Sequence, residues 1–311
     1  MLQQTTVETV IPYYERFLKQ FPTVQILAES TEEEVLKHWS GLGYYSRARN
    51  LHKSAQMLAP PPLKKGGRGD FPRTVEELQN LPGIGRYTAG AIASIAFDQR
   101  APLVDGNVIR VFSRLFAVSK DPKTTEGQKL FWKIAEKSLP QKHCGDFNQA
   151  LMELGATVCS PENPACSQCP VASSCRARKM KSPEKFPKGK KKVLYRKVLL
   201  SAAVIQENEK FLLSQRQAKG LLKGMWEFPM VEGDGAALGR ALSLQILKQL
   251  PSVRHSVLNQ RLEITPYLCR LKKEAKAVEE GTQRRRWVSL HEFEDLAMSS
   301  MNRKILKRLE V

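Results

Sequence analysis

No stretch of the 311-residue chain reaches eighteen consecutive apolar residues, so no segment has the pattern of a bilayer-spanning helix. The first ten residues, MLQQTTVETV, lack both a basic stretch and an apolar core, so no secretory leader is expected. Acidic residues are the minority, 31 against 50 Lys and Arg. The resulting formal charge of +19 and pI of 9.8 favour a polyanionic partner, nucleic acid or an anionic membrane surface. Cysteine is sparse, six in all, yet four fall within seventeen residues. In a chain with no leader that clustering argues for metal binding rather than disulfides. The length suits about two domains.

The chain is organised around Leu81 to Val118, LPGIGRYTAGAIASIAFDQRAPLVDGNVIRVFSRLFAV. Pro82-Gly83-Ile84-Gly85 predicts a tight turn, since glycine tolerates positive φ and leaves the backbone open to close approach. A helix is expected over 86–97, where Ala89, Gly90, Ala91, Ala93 and Ala96 let neighbours come close. Its first amides, with those of the turn, make an anion site suited to a phosphate. A connector ends in Val104-Asp105-Gly106-Asn107-Val108. Val108, Val111, Phe112 and Leu115 then mark the buried stripe of another helix. Taken alone, Asp105 is a good cap for that helix.

Further helices are expected over 5–20, 31–39, 74–80, 125–138 and 146–156. In the first, Val7, Val10, Ile11, Tyr14, Phe17 and Leu18 recur at helical spacing; in the second, Thr31 precedes Glu32-Glu33-Glu34 as a cap. Gly41 to Arg49, GLGYYSRAR, reads as a turn with two aromatics that either wedge between bases or pack in a core, and arginines suited to phosphates. Pro60 to Arg73 reads as a basic loop. Cys159, Cys166, Cys169 and Cys175 follow the spacing C-x6-C-x2-C-x5-C. Such a set closes around one centre, and the spacing leaves zinc and an iron–sulfur cluster both open. Cys144 and Cys269 read as packing residues. Arg176 to Lys197 holds eleven basic residues and one acid, a linker composition that adds salt-dependent affinity for DNA. Beyond it, strands are expected over 198–205, 210–216, 262–271 and 284–290. A hairpin is expected at Glu207-Asn208-Glu209, and helices over 236–250 and 301–310.

The LPGIG turn followed by Asp105 resembles the helix-hairpin-helix DNA glycosylases. That likeness implies that the hairpin, through Gly83 and Gly85, grips a DNA phosphate and that Asp105 is catalytic. Gln3-Gln4-Thr5 together with Gly41-Leu42-Gly43-Tyr44-Tyr45 is similar to the adenine DNA glycosylases of the MutY family, and implies that Gln3, Gln4, Thr5, Tyr44 and Arg47 contact the duplex near the target base. The cysteine spacing looks like the [4Fe–4S] loop of the endonuclease III and MutY families, which implies Cys159, Cys166, Cys169 and Cys175 as cluster ligands with a structural and DNA-docking role. Leu221 to Pro229, LLKGMWEFP, matches the C-terminal domain of the MutY family and implies a Nudix-like (MutT-like) fold. The acidic box of Nudix hydrolases is missing, since 236–250 carries no acid, so this domain is expected to read lesions rather than hydrolyse nucleotides. The fold expected is a mostly α helix-hairpin-helix glycosylase domain over 1–180 with the iron–sulfur loop at 159–175. A basic linker over 181–196 and a smaller α+β Nudix-like domain over 197–311 complete it.

The activity implied is base-excision repair: hydrolysis of the N-glycosidic bond of adenine mispaired with 8-oxoguanine or guanine in double-stranded DNA. The base is flipped out of the stack, and bond breaking leaves cationic character on the sugar. By the resemblance, Asp105 stabilises that cation while Tyr87 and Asn107 orient it. Tyr87 stands where endonuclease III-type enzymes carry a Schiff-base lysine, so a monofunctional glycosylase is expected. The family's general acid is a glutamate two residues upstream of MLQQT. The resemblance therefore implies an N-terminally truncated chain, with a non-catalytic mismatch or lesion-binding protein as the alternative. The family's Phe-Ser-His triplet is replaced by Val257-Leu258-Asn259 after Arg254-His255-Ser256, which predicts altered 8-oxoguanine selectivity. A monomer is expected, cytoplasmic and nucleoid-associated if bacterial, with no membrane partner.

Overall fold

The computed structural model describes residues 1–2, 5–59, 71–188, 194–216, 222–272 and 284–309. Gln3, Gln4 and most of the 60–73 loop lie outside the described residues. By contact, the chain separates into two compact units, Met1–Pro61 with Val193–Val311, and Pro62–Lys192. This grouping differs from the expected division at 180 and 197, because the first helices share a core with the C-terminal domain. Among the described residues no helix is long and apolar enough to cross a membrane.

The first unit begins with α1 (Val7–Gln20), α2 (Val24–Glu29), α3 (Glu32–Trp39) and α4 (Ser46–Leu58). Thr31 caps α3 in a reciprocal box with Glu34. The buried stripe of α1 is Val10 and Phe17, while Val7, Ile11, Tyr14 and Leu18 face outward. Both stripes have helical spacing, and the ring contacts of Phe17 with Phe21 (4.8 Å) and Trp39 (5.8 Å) decide which one is buried.

The rest of the unit is a mixed sheet built on β1 (Arg196–Glu207). Residues 202–205 of β1 are all buried, so both faces of the sheet are covered at its centre. β1 pairs antiparallel with β2 (Lys210–Gln215) through a two-residue turn in which Asn208 and Glu209 both have positive φ. β3 (Trp226–Glu227) continues from β2, and β4 (Met230–Glu232) pairs with β1. α11 spans Gly235–Ala241, the label counting the six helices of the second unit below, and β5 spans Leu244–Gln249. The single helix expected over 236–250 is thus a short helix and an edge strand. Ser243 at φ 52° stops the helix, and Leu244 and Ile246 satisfy a two-residue period as well as a helical one. β6 (Val253–Val257) and β7 (Gln260–Leu271) form a hairpin, with β7 parallel to β1 and paired to β5 on its other edge. β8 (Arg285–Ser289) pairs with β2, and α12 (Ser300–Leu306) closes the core.

Met225 and Ala297 belong to the same buried cluster as Val10, Val35, Leu36 and Trp39. The fully buried Trp226 donates from Nε1 to Glu33 Oε1 at 2.8 Å. The Ser40 hydroxyl donates to the Met298 carbonyl at 2.6 Å, and Lys37 pairs with Asp295. Loss of the Glu33 acceptor would leave a buried indole N–H unpaired, a cost of about 1–3 kcal/mol.

The second unit is helical: α5 (Val75–Gln79), α6 (Arg86–Phe97), α7 (Gly106–Leu115), α8 (Thr125–Ser138), α9 (Cys144–Glu153) and α10 (Arg176–Lys179). Its core joins Leu103, Val104, Val108, Val111, Phe112, Phe131, Ala135 and Leu151. A Cβ on Gly90 would collide with the Pro102 carbonyl, so the small residue at that point of α6 admits the connector that leads to Asp105. Buried Asn148 fixes the same connector, donating to Ser94 Oγ at 2.9 Å and to the Ala101 carbonyl at 3.0 Å. The expected linker over 181–196 is docked at its start: Phe186 is buried in this unit, and its carbonyl accepts from Arg114. Residues 189–193 lie outside the described residues.

Candidate active site

The turn before α6 has the form expected of an anion seat. Gly83 sits at φ 76°, a left-handed conformation that favours glycine. Gly85 has an ordinary φ of −85° and is the N-cap of α6, with no side-chain cap. A Cβ there would meet nothing within 4 Å, so the space over the first amides of α6 is open. Arg86 beside it lies over the Trp132 ring at 3.8 Å.

Asp105 is the half-buried N-cap of α7. Its Oδ1 accepts the Val108 amide at 2.7 Å, and its Oδ2 accepts Asn107 Nδ2 at 3.2 Å. The carboxylate is thus fixed by the helix it caps, as the cap reading expects. Burial first, and the Asp105 carboxylate second, raise the Tyr87 phenol above its ordinary value. Tyr87 therefore keeps its proton at neutral pH and donates to the Met152 sulfur at 3.6 Å.

Several residues of this site escaped the sequence reading. Arg110, one turn after Asn107, donates to Asn107 Oδ1 and to the Cys159 carbonyl, both at 2.7 Å, and also to the Gly155 carbonyl. Gly155 lies in a π-helical turn, Leu154–Val158, that ends α9. A Cβ on Gly155 would stand 2.6 Å from Asn107 Cβ, so only glycine lets that turn close on the site. The signal available was position: Arg110 and Arg114 are four apart on a helix whose neighbours Val111 and Phe112 are buried.

Cys159, Cys166, Cys169 and Cys175 line one hollow together with Arg114 and Arg178. Arg114 is only 2% exposed. It donates to the carbonyls of Pro183, Phe186, Cys159, Ser160 and Pro161 and to Cys159 Sγ at 3.3 Å. Among the described residues, no carboxylate pairs with it. Nor do three His, Cys, Asp or Glu side chains converge closely enough to hold a single ion.

In the other unit, the Gly41–Arg49 stretch divides its tyrosine pair. Tyr45 is buried and accepts the Gly41 amide, whereas Tyr44 is 45% exposed at φ 47°. Arg47 lies 5.5 Å from the Tyr44 ring and 5.4 Å from Trp39, and donates to the Met1 carbonyl. Its guanidinium is used inside the turn rather than extended from it. Thr5 is half-buried just before α1. Leu258, at φ 52° and 62% exposed, is at the tip of the β6–β7 hairpin. Half-buried His255, on β6, is lowered from its ordinary value by burial and then by Lys304, so it is neutral at neutral pH.

Residues 1–137 match the HhH-GPD superfamily of base excision DNA repair proteins, and residues 201–308 match the NUDIX domain. An adenine DNA glycosylase of Rattus norvegicus is 37% identical over all of this chain and 70% of its own length. That of Buchnera aphidicola (subspecies from Acyrthosiphon pisum) is 34% identical over all of this chain and 88% of its own. Among solved structures, a thermostable thymine-DNA glycosylase superposes with a TM-score of 0.50 at 30% identity, over 58% of this chain and 80% of that one. Two matched domains in this order and whole-chain likeness to curated relatives lead to one conclusion: the chain belongs to the adenine DNA glycosylase family, hydrolases of base-excision repair.

Proposed function

We propose that this chain binds duplex DNA and releases adenine opposite 8-oxoguanine or guanine, with Asp105 as the carboxylate that faces the sugar. The observation that carries this reading is the Asp105 cradle. A half-buried carboxylate is held at fixed orientation by the Val108 amide and Asn107. Asn107 is held in turn by Arg110. Breaking the C1′–N9 bond sends its electron pair to the base, which takes a proton, while water adds to C1′. A preorganised negative group beside C1′ lowers that barrier most. Tyr87, protonated, contributes a neutral donor next to Asp105 rather than a second charge. Gly83 and Gly85 hold a backbone phosphate on the α6 amides. Tyr44 projects as a wedge for the stack, with Arg47 bracing its ring.

The reading for the cysteine loop is the iron–sulfur cluster whose loop its spacing resembles, and its four thiols line one hollow. A buried Arg114 with no carboxylate partner among the described residues needs negative charge nearby, and the thiolates of a bound cluster would supply it. When bound, a cluster would act as a structural crosslink on this loop.

The test is single-turnover adenine release from duplexes holding A opposite 8-oxoguanine, guanine or thymine, with binding followed alongside. The first two should be processed and the third should not, and Asp105→Asn should bind without release. Undiminished release by Asp105→Asn, which keeps the cap, would reduce Asp105 to a helix cap.

A further inference from the structure

The C-terminal domain carries a second charged feature that the cleavage chemistry does not use. Ser252, Val253, Arg254, Glu263, Lys304, Lys307 and Arg308 line an open groove of about 590 Å³. One wall is the β6–β7 pair, where Arg254 and Glu263 face each other across the strands. The other is the end of α12. Lys304, Lys307 and Arg308 share one side of it, while Arg303 on another side reaches Ser40. Lys304 spans the groove, donating to the Arg254 carbonyl at 3.0 Å.

Four cations thus surround a single carboxylate, and that carboxylate is already engaged by Lys197 at 2.7 Å. Among the described residues Lys307 and Arg308 form no ion pair, and Arg254 faces only the Glu263 that Lys197 already holds. Cations at a helix C-terminus complement its dipole, which accounts for the three on α12. It does not account for Arg254 on a separate strand meeting them across a groove. An open trough with four cations to one carboxylate raises the local concentration of anions, and its open ends admit a continuous chain of them.

We infer that this groove is a sequence-blind seat for the phosphate backbone of duplex DNA, held by Arg254, Lys304, Lys307 and Arg308 on the C-terminal domain. The inference rests on the DNA-binding reading above and adds a contact surface to it. Arg254 is on the stem of the hairpin whose tip is Leu258, so a strand gripped here lies alongside that exposed tip. Phosphate contacts of this kind fix register and orientation without reading sequence.

The test measures the affinity of the full chain for an undamaged duplex and for the same duplex with one A:8-oxoguanine pair, across a salt series. It compares the parent, Lys304→Gln/Lys307→Gln/Arg308→Gln, and Arg254→Gln. Each lost cation should lower the slope of log affinity against log salt by about one, and weaken both duplexes by the same factor. Melting curves report whether the triple variant folds, and Arg254→Gln decides the matter if it does not. Parental slopes in folded variants would overturn the inference and leave α12 with dipole complements only. Loss confined to the lesion duplex would overturn it in favour of lesion reading. Inorganic tripolyphosphate binding that the substitutions abolish, with duplex binding untouched, would overturn it in favour of a small-anion site. Failure of the parent itself to bind either duplex would count against the DNA-binding reading and this inference together.

Discussion

At the scale of single residues, both oxygens of Asp105 are held by the helix it caps. Oδ1 caps α7 and Oδ2 faces Asn107. Asparagine is as good a cap as aspartate, so Asp105→Asn should leave the melting temperature almost unchanged. Adenine release should fall by at least about a hundredfold, the scale of losing one preorganised electrostatic group. Single-turnover kinetics beside a thermal melt separates the two effects. Gly155→Ala should do the opposite of a clean catalytic change. Its methyl meets Asn107 at 2.6 Å, so it should cost about 1–3 kcal/mol and slow release as well. Cys269 is 4% exposed, and burial pushes its thiol up to about 11. It should resist iodoacetamide in the native protein and react once the chain is denatured, as peptide mass spectrometry would show. Asp105, Gly83 and the cysteines were legible in the sequence because each answers to a local rule of spacing or backbone. Arg110, Gly155 and Met152 were not, because their partners come from helices far along the chain.

At the scale of elements, α7 links Asp105 to the cysteine loop. Its N-terminus is capped by Asp105, its middle sends Arg110 to the Cys159 carbonyl, and its last turn sends Arg114 into the loop. Arg114→Lys keeps the charge but lacks the planar fork that reaches five carbonyls. The prediction is a loss of about 1–3 kcal/mol, the cost of leaving a buried polar partner unmet. With the proposed cluster bound, loss of its visible absorbance should accompany the drop in melting temperature. A second element-scale effect concerns pH. The hydroxyl and amide of Ser289, then Arg286, hold Glu292 at about 2, below its ordinary 4.5. A depressed carboxylate contributes stability above its unfolded value and loses it as pH falls toward about 2. A carbon-detected titration of Glu292 should show that midpoint. The helices over 86–97 and 125–138 were readable from periodicity. The 236–250 segment was not, because Leu244 and Ile246 fit either period and only pairing with β7 makes them a strand.

At the scale of the whole molecule, the excess positive charge predicts duplex affinity that falls steeply with salt. The grouping of the first helices with the C-terminal sheet is a tertiary fact that no local pattern announces. Met225 and Ala297 complete a core begun by Val10, Phe17 and Trp39, and Trp226 of the sheet core bonds to Glu33 on α3. Trp226→Ala should therefore cost about 3–5 kcal/mol. Hydrogen exchange should accelerate together in α1–α3 and the sheet, while residues 71–188 keep their protection. Protection lost in the sheet alone would separate the two parts. The same shared core sets an order of events during synthesis. Residues 1–61 cannot finish packing until the chain beyond 193 has left the ribosome, and Pro62–Lys192 is translated in between. At about 5–20 residues per second, the apolar side chains of α1, α3 and α4 wait roughly ten to thirty seconds for their partners. During that interval the middle unit is free to fold first, and the nascent N-terminal helices are what a chaperone would find exposed.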